Sequence, residues 1–145
     1  MKSQDTTDRL EKILKDVKTE DDIREYMENY AENSYTGFAA YFNDYMKAHQ
    51  LEMAEVIAGS NISRNYIYNI MNGDRNPGRD KIIALCIGAG MSCRDINRAL
   101  KISQKGVLYA KNERDARIMI AVNKGIKNVT QLNIILDREG LEILE

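Results

Sequence analysis

The spacing of apolar residues along the chain predicts helices throughout. Residues 5–17, 20–33 and 37–49 each place apolar side chains at every third or fourth position of a segment that is otherwise polar or charged. This period is typical of a helix that buries one face. No segment alternates apolar and polar residues convincingly enough to predict a strand. The pattern therefore predicts an all-α fold, in which residues 1–36 form an N-terminal helical extension.

Two shorter helices joined by a tight turn are predicted in the middle of the chain. The first spans about Met53–Gly59 and leads to Asn61, a residue type that tolerates the left-handed backbone of a turn. The second spans about Arg64–Met71, because the Ser63 hydroxyl can accept from the free N–H groups of its first turn. The pair Asn72-Gly73 is typical of a left-handed helix end. The buried side of the second helix is predicted to consist of Ile62, Ile67 and Ile70.

A longer pattern runs from this turn through the second helix into the next loop: Ser63-Arg64-x-x-Ile67-x-x-Ile70-x-Asn72-Gly73-x-Arg75-x-Pro77. It resembles the helix-turn-helix family of phage repressors and their Cro/XRE-type bacterial relatives, over roughly Phe38–Leu100. The resemblance implies a phage-repressor-like helix-turn-helix domain over residues 37–101. It also implies sequence-specific binding to double-stranded DNA and a role in transcription regulation. In this family the second helix lies in the major groove with its N-terminal side chains at base edges, and members commonly bind paired half-sites as dimers.

The resemblance assigns candidate DNA contacts by position. Within the second helix these are Arg64, Asn65, Tyr66, Tyr68 and Asn69. Arginine can bind guanine and asparagine can bind adenine through two hydrogen bonds each, whereas tyrosine could reach phosphate or stack. Beyond the helix, contacts to the DNA backbone are assigned to Arg75, Arg79 and Lys81. The alternative is that Arg64 and Asn65 belong to an ordinary solvated helix face, and that the later cations pair locally with Asp74 and Asp80.

Charge and two departures from the family pattern bear on this assignment. Residues 37–101 contain eight Lys and Arg against six Asp and Glu, whereas residues 1–36 contain six against ten. The predicted DNA-binding part is therefore mildly basic, which suits a modest DNA binder. Met53 stands where the family often has a glutamine that bonds phosphate, and Ile57 where it usually has alanine. We expect Ala58 and Gly59 to allow the close helix crossing instead.

The second half of the chain contains two similar helical hairpins. Residues 79–100 and 114–136 share an Arg-Asp start, an apolar helix, a glycine helix end at Gly90 and Gly125, and a following amphipathic helix. Stacked hairpins would bury each other's apolar faces, although a chance likeness between two amphipathic hairpins is an equal alternative. Residues 102–145 are thus predicted to form a C-terminal hairpin that packs on the core or on a second subunit. The apolar tail from Leu132 to Leu144 is the candidate contact of a homodimer, because an exposed apolar patch usually marks an interface.

No constellation of residues suggests catalysis, a metal or a cofactor. The chain has a single histidine, His49, and its cysteines Cys86 and Cys93 lack metal-ligand spacing and a disulfide framework. Both are expected to be small core or near-core residues. We therefore expect no enzyme, no metal site and no cofactor. No apolar run is long enough to cross a bilayer or to act as a signal peptide, so we expect a cytoplasmic protein with no membrane contact.

A second function remains open at this stage. The same scaffold could be a protein-interaction adaptor without enzymatic activity. The acidic helices of residues 1–36, or the tyrosine-rich helix face, would then dock a partner protein such as a kinase, a toxin or a defence effector. A uniformly positive surface around Arg64 would favour DNA, and acidic side chains around that helix would favour the adaptor.

Overall fold

The computed structural model describes Tyr35 and residues 37–145. The helices predicted in residues 5–17 and 20–33 lie outside the described residues. The described part is all-helical and contains no strand, which confirms the predicted fold class. Its helices are α1 (Phe38–Ala48), α2 (Met53–Ser60), α3 (Arg64–Met71), α4 (Arg79–Gly88), α5 (Cys93–Ile102), α6 (Glu113–Asn123) and α7 (Val129–Arg138).

Polar side chains begin four of these helices, as the sequence predicts for Ser63. The hydroxyl of Ser63 accepts a hydrogen bond from the backbone N–H of Tyr66 at 3.2 Å, and Asn112 accepts from Asp115 at 2.9 Å. Ser92 and Asn128 cap α5 and α7 in the same way. Each cap satisfies one of the N–H groups that the first turn of a helix leaves without a partner.

The turn between α2 and α3 has the length and backbone that the sequence predicts. Asn61 adopts the left-handed conformation, with a φ of 60°. Three residues, Asn61 to Ser63, therefore suffice to join α2 to α3. The glycines predicted to end α4 and α6, Gly90 and Gly125, also have positive φ, which costs glycine no steric strain.

Helix α4 is the centre of the core. Six consecutive residues of this helix, Ile82 to Ile87, are buried, so α4 is covered on all sides rather than along one stripe. It packs against α2, α5 and α7, while α1 packs against α3 and α5. The hairpin of α6 and α7 contacts α5 through α6, and both α2 and α4 through α7. Residues 102–145 therefore pack on the core within the same chain.

The backbones of α2 and α4 meet at two glycines. A Cβ atom built on Gly88 would lie 2.6 Å from the backbone nitrogen of Ser60, and one built on Gly59 would lie 2.8 Å from the Cα of Gly88. Neither helix could approach the other this closely with a larger residue at the contact. The expected close crossing is thus made at Gly59, whereas Ala58 is exposed and Ile57 is half-buried.

The two hairpins are joined by a crossed pair of salt bridges between their Arg-Asp starts. The Arg79 guanidinium donates to both carboxylate oxygens of Asp115, at 3.2 and 2.9 Å. Arg114 donates in return to both oxygens of Asp80, at 3.1 and 2.9 Å. Each hairpin therefore supplies the cation for the other's carboxylate, and the repeated Arg-Asp dipeptide has a structural role.

The apolar tail does not form the exposed surface that the homodimer prediction requires. Leu132, Leu136 and Leu144 are buried within the chain. Only Ile134 and Ile143 among the large apolar residues of this tail are clearly exposed. The reason given for a dimer through an exposed tail is therefore wrong, because α7 packs on α2 and α4 and these leucines are buried within the chain.

Candidate nucleic-acid interface

The N-terminal turn of α3 projects polar side chains away from the core. Ile67 and Ile70 are buried and fix the inward face of the helix, while the Ser63 cap fixes where the helix begins. Arg64 and Asn65, which come directly after the cap, are exposed. Tyr68 leaves 47% of its surface accessible. The helix therefore presents an arginine, an asparagine and a tyrosine to solvent on a rigid support.

Tyr66 gathers two cations next to this helix. The Cζ of Arg75 lies 4.9 Å from the centroid of the tyrosine ring, and the Nζ of Lys81 lies 5.2 Å from it. Both distances are within the range of cation–π attraction. Arg75 belongs to the loop after α3 and Lys81 to the first turn of α4, so one ring connects three segments of the chain. The three residues were predicted separately from the sequence, which does not indicate that Arg75 and Lys81 meet at the Tyr66 ring.

The backbone of the loop is tied to α3 at its C-terminal end. The N–H of Arg75 donates to the carbonyl oxygen of Asn69 at 2.9 Å, and the N–H of Asp74 donates to the Asn72 side chain at 3.1 Å. Asn69 itself is half-buried. The structure thus shows a backbone role for Asn69 in positioning Arg75, beside the base contact predicted for its side chain.

The cations of this surface are not neutralised by neighbouring acids in the part of the chain that the structure describes. Arg64, Arg75 and Lys81 form no salt bridge there. Asp80 is held by Arg114 instead of pairing locally. Lys81 also lies in the first turn of a helix, where the helix dipole disfavours a positive charge. An anion beside Arg75 and Lys81 would reduce the repulsion between these two cations, and that between Lys81 and the positive end of the helix dipole.

Arg79 is placed differently from the other predicted contacts. Besides its two bonds to Asp115, it donates through Nε to the carbonyl of Gly106 at 2.9 Å and through Nη2 to that of Val107 at 3.2 Å. Its guanidinium is therefore engaged in contacts within the chain, which favour a structural role over the DNA-backbone contact predicted for it. The local pairing considered with Asp74 or Asp80 is also absent, because the partner is Asp115. The repeat of Arg-Asp at positions 114 and 115 was the signal that could have indicated this.

The beginning of α2 carries acids where the resemblance suggested a contact to DNA. Glu52 precedes the helix, and its backbone N–H donates to the Glu55 carboxylate at 3.0 Å. Both glutamates are exposed. Phosphate would be repelled at this helix end, so a DNA contact would have to rely on α3 and the residues around Tyr66.

The two cysteines lie in or near the core. Burial raises the pKa of the Cys86 thiol, which is fully buried, and also that of the half-buried Cys93. The Cys93 Sγ lies 3.6 Å from the carbonyl oxygen of Met119 and 3.4 Å from the Asn123 Oδ1, so its single S–H can donate to either acceptor. Both cysteines therefore occupy the core or near-core positions that were expected. Among the described residues, no cluster of three or more His, Cys, Asp or Glu could hold a metal ion.

Two findings bear on membranes and on relatives. Within Tyr35 and residues 37–145, none of the helices combines the length and the apolar character that crossing a bilayer requires. Comparison of the chain with protein-family models, with curated proteins and with solved structures gives no match.

Proposed function

We propose that this chain is a sequence-specific binder of double-stranded DNA that regulates transcription, with α3 entering the major groove. The observation that carries the proposal is the surface formed by Arg64, Asn65, Tyr66, Arg75 and Lys81. It joins two exposed side chains suited to base edges with two cations that lack a carboxylate partner among the described residues.

The first turn of α3 supplies the base contacts in this proposal. Arg64 would donate two hydrogen bonds to guanine, and Asn65 would pair with adenine, the contacts that these side chains favour in the major groove. The Ser63 cap and the buried Ile67 hold both positions at a fixed orientation. Tyr68, one turn further along, would contact the sugar–phosphate backbone or the thymine methyl group.

Arg75 and Lys81 supply the sequence-independent part of the affinity. Each would neutralise one phosphate and release counterions, which makes binding weaken as salt increases. Their contact to the Tyr66 ring restricts where they point, so that less conformational entropy is lost on binding. Arg79 is left out of this set because Asp115 and two carbonyls already occupy its donors.

The test begins with selection of bound duplexes from a random library at low salt, followed by affinity titration of the selected sequence. Arg64→Ala and Asn65→Ala should each weaken specific binding by about 1 to 3 kcal/mol and relax the preference at one base position. Arg75→Ala and Lys81→Ala should weaken binding to all sequences and reduce the salt slope by about one each. Lys124→Ala, which removes an exposed cation at the end of α6, serves as the matched control and should change neither. If the wild-type chain retains no duplex even at low salt, DNA binding must be abandoned.

One observation favours the second candidate, a protein-interaction adaptor. The exposed carboxylates of Glu52 and Glu55 at the beginning of α2, together with the large exposed fraction of Tyr68, suit a protein surface better than a phosphate backbone. Aromatic residues are enriched at such interfaces. In that case Tyr68→Ala would abolish capture of a partner protein, while the wild-type chain would show no salt-dependent binding to duplex DNA.

A further inference from the structure

Residues Leu141–Glu145, called the strap below, are held by side chains from three helices. Arg114 of α6 donates through Nε to the carbonyl of Glu142 at 2.8 Å and through Nη2 to that of Ile143 at 3.0 Å. Asn133 of α7 accepts from the N–H of Leu144 at 2.8 Å and donates to its carbonyl at 3.3 Å. Asp80 of α4 accepts from the N–H of Glu145 at 3.5 Å. The strap-binding site therefore consists of Asp80, Arg114 and Asn133.

This site recognises an extended segment in the manner of a peptide-binding site. All five hydrogen bonds go to main-chain groups of the strap, and one strap side chain, that of Leu144, is buried. Main-chain bonds give affinity in such sites, and a pocket for a single side chain gives specificity. Arg114 is itself fixed by its two bonds to Asp80, so these two residues of the site are held in place independently of the strap.

A single backbone conformation connects α7 to the strap. Gly140 has a φ of 73°, and the N–H of Leu141 donates back to the carbonyl of Leu136 at 2.9 Å. The chain reverses direction here, which allows Leu144 of the strap to reach Asn133 in the preceding helix, α7. A different backbone conformation at Gly140 would direct the strap away from the strap-binding site of its own chain. The hydrogen-bonding groups of that site would not change.

We propose that the strap can be exchanged between two copies of this chain, each copy's strap occupying the strap-binding site of the other. The occupant that fits this site is Leu141–Glu145 itself, and every copy carries both the segment and the site. Exchange preserves all five hydrogen bonds and the burial of Leu144, which is the condition for a domain-swapped dimer. Because the intramolecular strap competes at an effective concentration of about millimolar, the wild-type chain is expected to be mostly monomeric at micromolar concentration.

The first test strains the chain reversal. Gly140→Ala forces a residue with a Cβ into the left-handed conformation, which costs about 1 to 2 kcal/mol, or about tenfold in the closed state. A Cβ at Gly140 meets nothing within 4 Å, and neither does one at Gly125, whose φ is 93°. Gly125→Ala is therefore the matched control, since it has the same backbone strain at the end of α6 but no strap after it.

Sedimentation equilibrium of the full chain measures the result. Both copies must open the turn at Gly140 to exchange straps. Gly140→Ala should therefore raise the dimer association constant by about tenfold for each copy, and Gly125→Ala should leave it at the wild-type value. Equal association constants for the two variants would overturn the proposal.

The second test separates strap from site in full-length chains. Asn133→Ala weakens the site and Leu144→Asp spoils the strap. In either variant alone the weakened contact is the same in the closed monomer and in the exchanged dimer, so neither change alone should favour the dimer. Mixed together they should form a heterodimer, in which the intact strap of the first occupies the intact site of the second. Circular dichroism confirms beforehand that both variants are helical. Only the heterodimer contains a contact between an intact strap and an intact site, so a mixture that forms no more heterodimer than either variant forms homodimer would refute strap exchange.

Discussion

The salt bridge between Arg79 and Asp115 offers the sharpest test of the fold. Asp115→Ala removes both bonds from the Arg79 guanidinium and also the carboxylate oxygen that accepts the N–H of Tyr109 at 3.0 Å. The Asp115 side chain is 8% exposed and that of Arg79 is 29% exposed. Breaking a buried pair by removing one partner costs about 3 to 5 kcal/mol. Because water still reaches part of Arg79, we expect a loss of about 2 to 4 kcal/mol in the free energy of unfolding.

The chain provides a matched control of the same chemistry at the surface. Arg117 and Glu139 form a salt bridge of 3.1 Å, with side chains that are 40% and 35% exposed. Exposed pairs contribute about 0 to 1 kcal/mol, so Glu139→Ala should have little effect. Asp115→Ala and Glu139→Ala each remove a carboxylate that pairs with an arginine. The two sites differ in burial and in the number of hydrogen bonds, so a difference in stability reports on those two factors.

Urea unfolding followed by circular dichroism gives the free energies, provided that each variant unfolds in one transition. The double variant Arg79→Ala/Asp115→Ala should cost less than the sum of the single losses, because the second change removes the charge that the first left unpaired. Arg79→Ala should lower stability while folded protein keeps its affinity for duplex DNA, in contrast to Lys81→Ala. If Asp115→Ala lowers the free energy of unfolding no more than Glu139→Ala does, the buried salt bridge does not stabilise the fold as argued.

Two further predictions concern packing and pH. Gly88→Ala should destabilise the chain by several kcal/mol or prevent folding, since the added Cβ would lie 2.6 Å from the Ser60 nitrogen, whereas Gly78→Ala, with nothing within 4 Å, should be nearly neutral in the same urea titration. Burial raises the pKa of Cys86 and of Tyr41 above their ordinary values of 9.0 and 10.0. The unfolded chain therefore releases these protons first. The contribution of Cys86 to the free energy of unfolding is present below about pH 9 and that of Tyr41 below about pH 10, and each decreases as the pH rises further. Cys86→Ala should make the alkaline decrease shallower, and an unchanged slope would show that the thiol plays no part.

The local features of the fold could be predicted because neighbouring residues determine them. Ser63 and Asn112 begin helices through bonds to residues only three positions away, and Asn61, Gly90 and Gly125 adopt the left-handed backbone that their side chains permit. Turn chemistry of this kind is visible in the sequence itself. The exposure of Arg64 and Asn65 followed in the same way from the buried positions of the helix.

Contacts between distant segments could not be predicted from local patterns. Arg79 has the sequence setting of a surface cation, and only the packing of the second hairpin brings Asp115 to it. The tail has the composition of an exposed apolar patch, but α7 docks on α2 and α4, and Leu132, Leu136 and Leu144 are buried within the chain. Tyr66 likewise shows no sign in the sequence that Arg75 and Lys81 will converge on its ring. In each case the partner depends on tertiary packing, which overrides local preference.

The meeting of backbones at Gly59 has a consequence for how relatives of this chain are recognised. A Cβ at this position would lie 2.9 Å from the carbonyl oxygen of Lys127, in addition to its clash with Gly88. Three segments thus converge where no side chain can be added, whereas no such packing constraint applies to the exposed residues of α3. Divergent homologues should therefore keep the glycine pair after their α3 surfaces have become unrecognisable. A search keyed to these two glycines and their buried neighbours would find them more readily than one keyed to the exposed residues of α3.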